Sequence, residues 1–82
     1  MAKIKICGLK RLEDIEIINK YKPDYIGFVF ADSKRKVTHE LAGQMKENLD
    51  SSITSVGVFV DADIDEILKL YRDDVIDIAQ LH

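Results

Sequence analysis

Four side chains that can take part in acid–base or ionic chemistry follow short apolar segments of the sequence: Cys7, Arg35, Asp61 and His82. A cysteine thiol serves as a base or a nucleophile once it has ionised. An arginine guanidinium can hold a carboxylate or a phosphate through two parallel hydrogen bonds. The residue types alone therefore leave open a thiol base, a thiol nucleophile paired with histidine, an anion-binding arginine and a two-ligand metal site.

Each of these residues also has a purely structural interpretation. Free cysteine is among the most buried residue types, so Cys7 could be a small apolar side chain in a strand. Most short charged loops are simply solvated, which would explain Arg35, and His82 is the last residue of the chain. Two separated residues, Cys7 and His82, are weak evidence for a metal site. A Cys–His nucleophile pair stays open, but the sequence shows no oxyanion hole and no orienting third residue. The phosphate-binding fingerprints GxGxxG and GxxxxGKS/T are both absent from the sequence.

The pattern of apolar residues predicts four short strands and three helices. The two middle strand segments are nearly continuous in Ile, Val and Phe, which is typical of parallel strands covered on both faces. The predicted strands are residues 3–7, 25–30, 55–60 and 77–81, and the predicted helices are residues 12–21, 38–49 and 63–72.

Helix-start signals differ in quality among the three predicted helices. Thr38 is a plausible N-cap for the second helix. Asp63 and Glu66 have the spacing of a capping box at the start of the third helix. The first helix has a poor cap, because Lys10 stands where Ser, Thr or Asp would be expected. We expect His39, at the start of the second helix, to lie on the surface.

The element order β-α-β-α-β-α-β indicates either an open doubly wound sheet or part of a (β/α)8 barrel. In both architectures ligands bind beyond the carboxyl ends of parallel strands. We therefore expect Cys7, Arg35, Asp61 and His82 to lie on one rim of the sheet. A complete barrel typically needs about 250 residues, and this chain offers half of the strands.

Composition indicates a single globular domain and excludes several classes of protein. The chain has 82 residues, 46 % of them apolar and 33 % charged, and a formal charge of −3. One cysteine cannot form an internal disulfide framework, and no apolar run is long enough for a membrane span. The N-terminus lacks the long apolar stretch of a secretory signal, so we expect a cytoplasmic protein. The mild acidity argues against nucleic acid as the main partner.

Five sequence blocks carry a resemblance to a known family. They are KICGL at residues 5–9, YIGFVF at 25–30, SKRKV at 33–37, VGVFV at 56–60 and QLH at 80–82. In this order and spacing they resemble the phosphoribosylanthranilate isomerase family. The resemblance covers essentially the whole chain and implies a (β/α)8 barrel, with residues 1–82 as the N-terminal half of a single barrel domain.

The family resemblance also implies an activity. The reaction is an Amadori rearrangement of tryptophan biosynthesis, in which N-(5-phosphoribosyl)anthranilate becomes 1-(2-carboxyphenylamino)-1-deoxyribulose 5-phosphate without a metal or an organic cofactor. By this resemblance Cys7 is the general base, Arg35 lies near the anthranilate end of the substrate, and His82 lies at the mouth of the active site. The family's acid and phosphate site come from later strands, and Asp61 matches no acid position. We therefore expect the chain alone to be inactive.

Some residues depart from the family pattern, and two other functions stay open. Lys10 replaces a polar cap, Lys36 stands where an aromatic is common, and the chain stops at His82. A half-barrel could instead be a non-catalytic module that self-associates or pairs with a C-terminal half through its unpaired edges. Another phosphosugar enzyme on the same barrel would need a metal cluster or a strand-end lysine. Lys3 and Lys5 lie at the start of their strand, on the side associated with stability.

Overall fold

The fold is a four-stranded parallel sheet whose strands alternate with three helices. The computed structural model describes residues 3–31 and 36–81. The elements are β1 (Lys5–Cys7), α1 (Leu12–Tyr21), β2 (Tyr25–Val29), α2 (His39–Glu47), β3 (Thr54–Phe59), α3 (Ile64–Arg72) and β4 (Ile78–Leu81). The strands lie in the order β1-β2-β3-β4 and every neighbouring pair is parallel. The predicted element order is confirmed.

The limits of the predicted elements agree closely with the observed ones. Helix α1 has the predicted limits, and each strand begins and ends within two residues of its prediction. The two middle strands are largely buried, as their continuous apolar sequence predicts, whereas β1 and β4 are mostly exposed. The outer strands are exposed because each has a paired neighbour on one side only.

The core lies between one face of the sheet and the three helices. Alternate residues of β2 and β3 point towards the helices, because successive side chains of a strand alternate between its two faces. Fully buried members of this core are Ile26, Phe28 and Phe59 from the sheet and Ile15, Met45 and Leu70 from the helices. We call the opposite, helix-free side of the sheet the open face.

The helix caps follow the sequence signals in part. The Oγ1 atom of Thr38 accepts a hydrogen bond from the backbone N–H of Leu41 at 3.1 Å, so the predicted cap of α2 is confirmed. The capping-box prediction for α3 is wrong, since the side chain of Asp63 makes no capping hydrogen bond. The carboxylate of Glu66 is used elsewhere: its Oε1 lies 2.8 Å from Nε2 of His39.

A polar cluster joins α2 to the amino ends of β3 and β4. Lys46 donates to Oδ2 of Asp77 at 2.8 Å and to Oγ of Ser55 at 3.0 Å, and the backbone N–H of Ser55 donates to the same carboxylate oxygen at 2.9 Å. Burial raises the pKa of Asp77, but the hydrogen bonds from Lys46 and Ser55 outweigh it and hold that pKa below its ordinary value. The cluster fixes the end of the sheet opposite the predicted rim.

Among residues 3–31 and 36–81, no helix is long and apolar enough to cross a membrane.

Candidate active site

The carboxyl ends of the four parallel strands lie side by side at one end of the sheet. This end is the rim on which the sequence predicted the reactive side chains. Cys7 is the final residue of β1, and Asp61 follows β3 after one intervening residue. Asp61 has a left-handed backbone (φ 51°), which aspartate tolerates better than most side chains. Arg35 and His82 lie outside the described residues, so their predicted places on the rim stay predictions.

Cys7 presents an exposed thiol on the open face of the sheet. Its partner in the strand register is Gly27, and its neighbours along that line are Val56 of β3 and Ile78 of β4. The interpretation of Cys7 as a buried apolar side chain is therefore wrong. An exposed thiol at a strand end can reach a small molecule bound over the open face.

Gly27 is the residue that makes room for this thiol. A β-carbon at position 27 would lie 2.7 Å from Sγ of Cys7 and 3.3 Å from its Cβ, well inside van der Waals contact. The two strands are locked at this level, because the backbone N–H of Gly8 donates to the carbonyl oxygen of Gly27 at 3.1 Å. Sequence reasoning missed this role, although a lone glycine inside an aromatic and β-branched strand is a known sign of close approach.

The turn that follows the thiol also depends on glycine. Gly8 has a φ of 82°, a left-handed conformation that side chains with a β-carbon rarely adopt. The chain therefore leaves β1 abruptly, directly after Cys7. The sharp exit leaves the thiol at the rim instead of inside a longer strand.

Lys5 lies on the same face of β1 as Cys7, because residues two apart in a strand share a face. Its Nζ atom donates to Oε1 of Gln80, which belongs to the fourth strand. The main chain of Lys5 is at the start of its strand, as predicted. Its ammonium group, however, extends across the open face towards the carboxyl end of β4. The sequence therefore predicted the place of the main chain of Lys5 but not the place of its charge.

His39, which the sequence predicted to lie on the surface, is half-exposed and also packs behind the rim. Its ring meets the ring of Phe30 edge-on, with centroids 5.3 Å apart, and Phe30 in turn stacks on Phe59 at 5.3 Å. Its Nε2 pairs with Glu66 of α3. The aromatic contact and the ion pair connect the starts of α2 and α3 to the ends of β2 and β3.

The family model described as N-(5'-phosphoribosyl)anthranilate isomerase matches residues 4–82. The chain belongs to this family. The sequence resemblance drawn from the five blocks is confirmed, and so is the fold class.

Individual relatives match along the whole chain. The N-(5'-phosphoribosyl)anthranilate isomerase of Clostridium acetobutylicum is 54 % identical over 82 residues, which are 100 % of this chain and 40 % of that protein. The crystal structure of the Thermotoga maritima enzyme superposes with a TM-score of 0.89 at 34 % identity, covering 100 % of this chain and 40 % of that one.

A third relative was solved with a ligand. It is a phosphoribosyl anthranilate isomerase in complex with reduced 1-(o-carboxyphenylamino)-1-deoxyribulose 5-phosphate. It superposes with a TM-score of 0.89 at 34 % identity, covering 100 % of this chain and 43 % of that one. The chain thus spans about 40 % of the length of the curated relatives it matches.

Proposed function

We propose that this chain supplies the general base of a phosphoribosylanthranilate isomerase active site. The observation that carries the proposal is the exposed thiol of Cys7, held over Gly27 at the rim of the open face in a chain of this family. The substrate would be N-(5-phosphoribosyl)anthranilate and the pathway tryptophan biosynthesis.

The reaction consists of proton transfers that side chains can perform. An acid protonates the furanose ring oxygen, the C1–O bond breaks, and the nitrogen lone pair forms a protonated Schiff base. The thiolate of Cys7 then removes the proton from C2, and the electron pair of that C–H bond gives an enolamine. The enolamine tautomerises to the ketone product. No metal or organic cofactor is required in this scheme.

Two further residues of the chain would bind the substrate. A guanidinium at Arg35 suits the anthranilate carboxylate, because it can form two parallel hydrogen bonds with it. By the family resemblance, His82 would lie at the mouth of the site. Both roles follow from the family resemblance.

The acid and the phosphate-binding loops of the family come from later strands. We therefore propose that residues 1–82 act as the N-terminal half of one barrel domain and turn over no substrate alone. We also propose a cytoplasmic location, since an exposed unpaired thiol such as that of Cys7 stays reduced there.

The experiment joins this chain to the remaining C-terminal part of the Clostridium acetobutylicum relative. Isomerase activity of the joined protein, measured by the fluorescence loss of the anthranilate substrate, is expected, while the chain alone gives no turnover. An inactive joined protein that is folded by circular dichroism would overturn the proposal. Turnover by the isolated chain would overturn its second part.

A second candidate function is docking to another sheet through the strand edges. Its support is the apolar surface along both edges: Ile4 is 60 % exposed beside β1, and Ile78 and Leu81 of β4 are 43 % and 70 % exposed. Burying them against a second copy, or against a C-terminal half, would complete the sheet. Sedimentation velocity should then show concentration-dependent association, and a monomer with a sharp unfolding transition would contradict docking.

A further inference from the structure

A hydrogen bond joins the first and the last strand across the open face. Nζ of Lys5 donates to Oε1 of Gln80, although β2 and β3 lie between them. The register line through Lys5 continues to Thr54 on β3. Because Val56 pairs with Ile78, Gln80 lies four residues beyond that line on β4. In a flat sheet, three strand spacings and four strand rises would separate the Cα atoms of Lys5 and Gln80 by about 19 Å.

This bond shows that the sheet is curved towards its open face. An extended lysine side chain, an extended glutamine side chain and one hydrogen bond together span about 14 Å, which is less than the separation in a flat sheet. The strands β1 and β4 therefore lean towards each other over the open face. Side chains that meet in this way are typical of an eight-stranded barrel, whose interior is just wide enough for side chains to fill.

The same bond gives the direction in which the strands are staggered. In an eight-stranded parallel barrel with a shear of 8, the register line moves by about one residue per strand relative to the circumference. The three steps from β1 to β4 amount to about three residues, and the contact between Lys5 and Gln80 lies four residues off the register line. The register line therefore falls towards the amino ends of the strands as it runs from β1 to β4.

Both edges of the sheet leave apolar side chains exposed on the side that carries the helices. Ile6 pairs with the core residue Ile26, so it points to the helix side, and Ile4 shares that face. Leu81 pairs with the core residue Phe59 and points to the helix side as well. The side chains of Ile4, Ile6 and Leu81 are all exposed. The β1 edge and the β4 edge thus offer apolar surface in the same layer.

Helix α3 adds apolar surface at the β4 edge. Its exposed residues Ile64, Leu68 and Tyr71 are spaced by four and three positions, so they form one stripe. Glu66 pairs with His39 of α2, which identifies the side of α3 that faces α2. The stripe lies about 140–200° round the helix axis from Glu66. It therefore faces away from α2, on the side of the β4 edge.

One more step of the same stagger defines how a second copy of the sheet would pair. Ile78 lies on the register line of Cys7. After a fourth step the shift is about four residues, so Ile78 would pair with Lys3 of the second copy and Leu81 with its Ile6. Because this shift is even, open-face residues stay on the open face, and Leu81 meets Ile6 on the helix side. Apolar side chains then contact apolar side chains, and closure removes both unpaired edges.

We propose that two copies of this chain close into an eight-stranded parallel barrel, in which β4 of each copy pairs with β1 of the other. Four strands per copy supply the eight strands of such a barrel. The two junctions are identical and the ring is closed, so the assembly stops at two chains. The proposal names the partner for the docking function proposed above and rests on it, and it is independent of the base assigned to Cys7.

Disulfide formation between single-cysteine variants tests the junction. In a Cys7→Ser background, a Leu81→Cys copy is mixed with an Ile6→Cys copy and oxidised with glutathione disulfide. A disulfide-linked pair is expected, because paired residues of neighbouring strands have Cα atoms about 5 Å apart, within the range of a disulfide. Ile4→Cys is the register control: its Cα atom would lie about 8 Å from that of residue 81, so cross-linking should be about tenfold slower or more.

Self-cross-linking distinguishes the barrel from an open sheet. Copies that carry only Ile6→Cys, or only Leu81→Cys, should not cross-link to themselves, because each junction joins β1 to β4. Self-cross-linking of Ile6→Cys as fast as the mixed reaction would show that two first strands pair in an open sheet, and would overturn the proposal. Equal rates for Ile4→Cys and Ile6→Cys with Leu81→Cys would overturn it as well, since the junction would then have no fixed register.

Sedimentation equilibrium of the unmodified chain measures the association itself. We expect the mass of two chains and no larger species. Leu68→Lys places a charge in the junction and should weaken the dimer about tenfold or more. Ile17→Lys, on the exposed side of α1, is the matched control and should leave the dimer unchanged.

Two sedimentation results would contradict the two-copy barrel. Equal weakening by Leu68→Lys and Ile17→Lys would show that the stripe on α3 is not at the junction. A chain that stays monomeric, and associates only with the C-terminal part of the Clostridium acetobutylicum relative, would overturn the assembly of two copies. None of these measurements needs turnover, so the latter result would leave the isomerase proposal standing.

Discussion

Cys7 and Gly27 face each other across the β1–β2 pair so closely that any β-carbon at position 27 would lie 2.7 Å from the sulfur. The thiol therefore occupies the space that a side chain on β2 would otherwise fill. The position of the Cys7 thiol therefore depends on Gly27, which has no reactive group of its own.

Gly27→Ala should displace the thiol and lower the isomerase rate of the joined protein at least tenfold. The added methyl group must turn the Cys7 side chain or push β1 outwards, and such overpacking costs about 1–3 kcal/mol of stability. The rate of Cys7 alkylation and the free energy of unfolding in urea measure both effects.

Gly43→Ala is the control for this change. A β-carbon at Gly43 meets only a methyl group of Val75 at 3.8 Å, which is ordinary contact. Alanine in the middle of α2 should stabilise the chain by about 0.5–1 kcal/mol and leave alkylation unchanged. Equal behaviour of the two alanine variants would contradict a special role for Gly27.

Asp77 should make stability depend on pH on the acid side. Its pKa is below the ordinary value of 3.8 in the folded chain, so the unfolded chain binds the proton first. The stabilisation is present above that ordinary value and is lost as pH falls through the folded pKa. Asp77→Asn should lower the free energy of unfolding at pH 7 by about 1 kcal/mol, a figure reduced for partial exposure.

Urea unfolding between pH 2.5 and pH 7 measures this dependence. The free energy of unfolding of Asp77→Asn should fall less steeply with decreasing pH than that of the wild type. The reason is that the variant lacks a carboxylate whose protonation is coupled to unfolding. If the free energy of unfolding of Asp77→Asn depended on pH as steeply as that of the wild type, Asp77 would not be a source of the acid-side loss of stability.

Thr38→Ala should destabilise the chain by about 1 kcal/mol through loss of the cap on Leu41 N–H. Thr38→Ser retains the hydroxyl oxygen and should recover most of the loss. The midpoint of thermal unfolding is a sufficient measure. If the serine and alanine variants melt together, the hydrogen bond contributes nothing.

His39 allows ring packing to be separated from ion pairing. Glu66→Gln removes only the charge of a half-exposed pair and should change stability by less than about 0.5 kcal/mol. His39→Ala also removes the edge-on contact with Phe30 and should cost about 1 kcal/mol or more. A larger loss for Glu66→Gln than for His39→Ala would reverse this ranking.

The sequence predicted the structural features that depend on residues close together in the chain. Continuous apolar runs gave β2 and β3, and the hydroxyl of Thr38 capped the helix that it precedes. The chain order of alternating strands and helices then placed Cys7 at a rim without any tertiary information. Strand limits erred by one residue in β2, β3 and β4, and by two residues at the start of the edge strand β1.

Contacts between distant elements could not be read from the sequence. Glu66 has capping-box spacing, yet its carboxylate pairs with His39 of another helix. Lys5 begins a strand, yet its charge lies near the end of β4 because the strands are staggered. The requirement for glycine at position 27 follows from pairing with Cys7, a register that only the assembled sheet defines.

Cys7→Ser in the joined protein tests the central claim most directly. Serine keeps the size of the side chain but ionises far less readily, so it cannot act as a base near neutral pH. Loss of a general base should lower kcat at least 100-fold with KM little changed, while circular dichroism stays that of the parent. A kcat within threefold of the parent would contradict the assignment of Cys7 as the base.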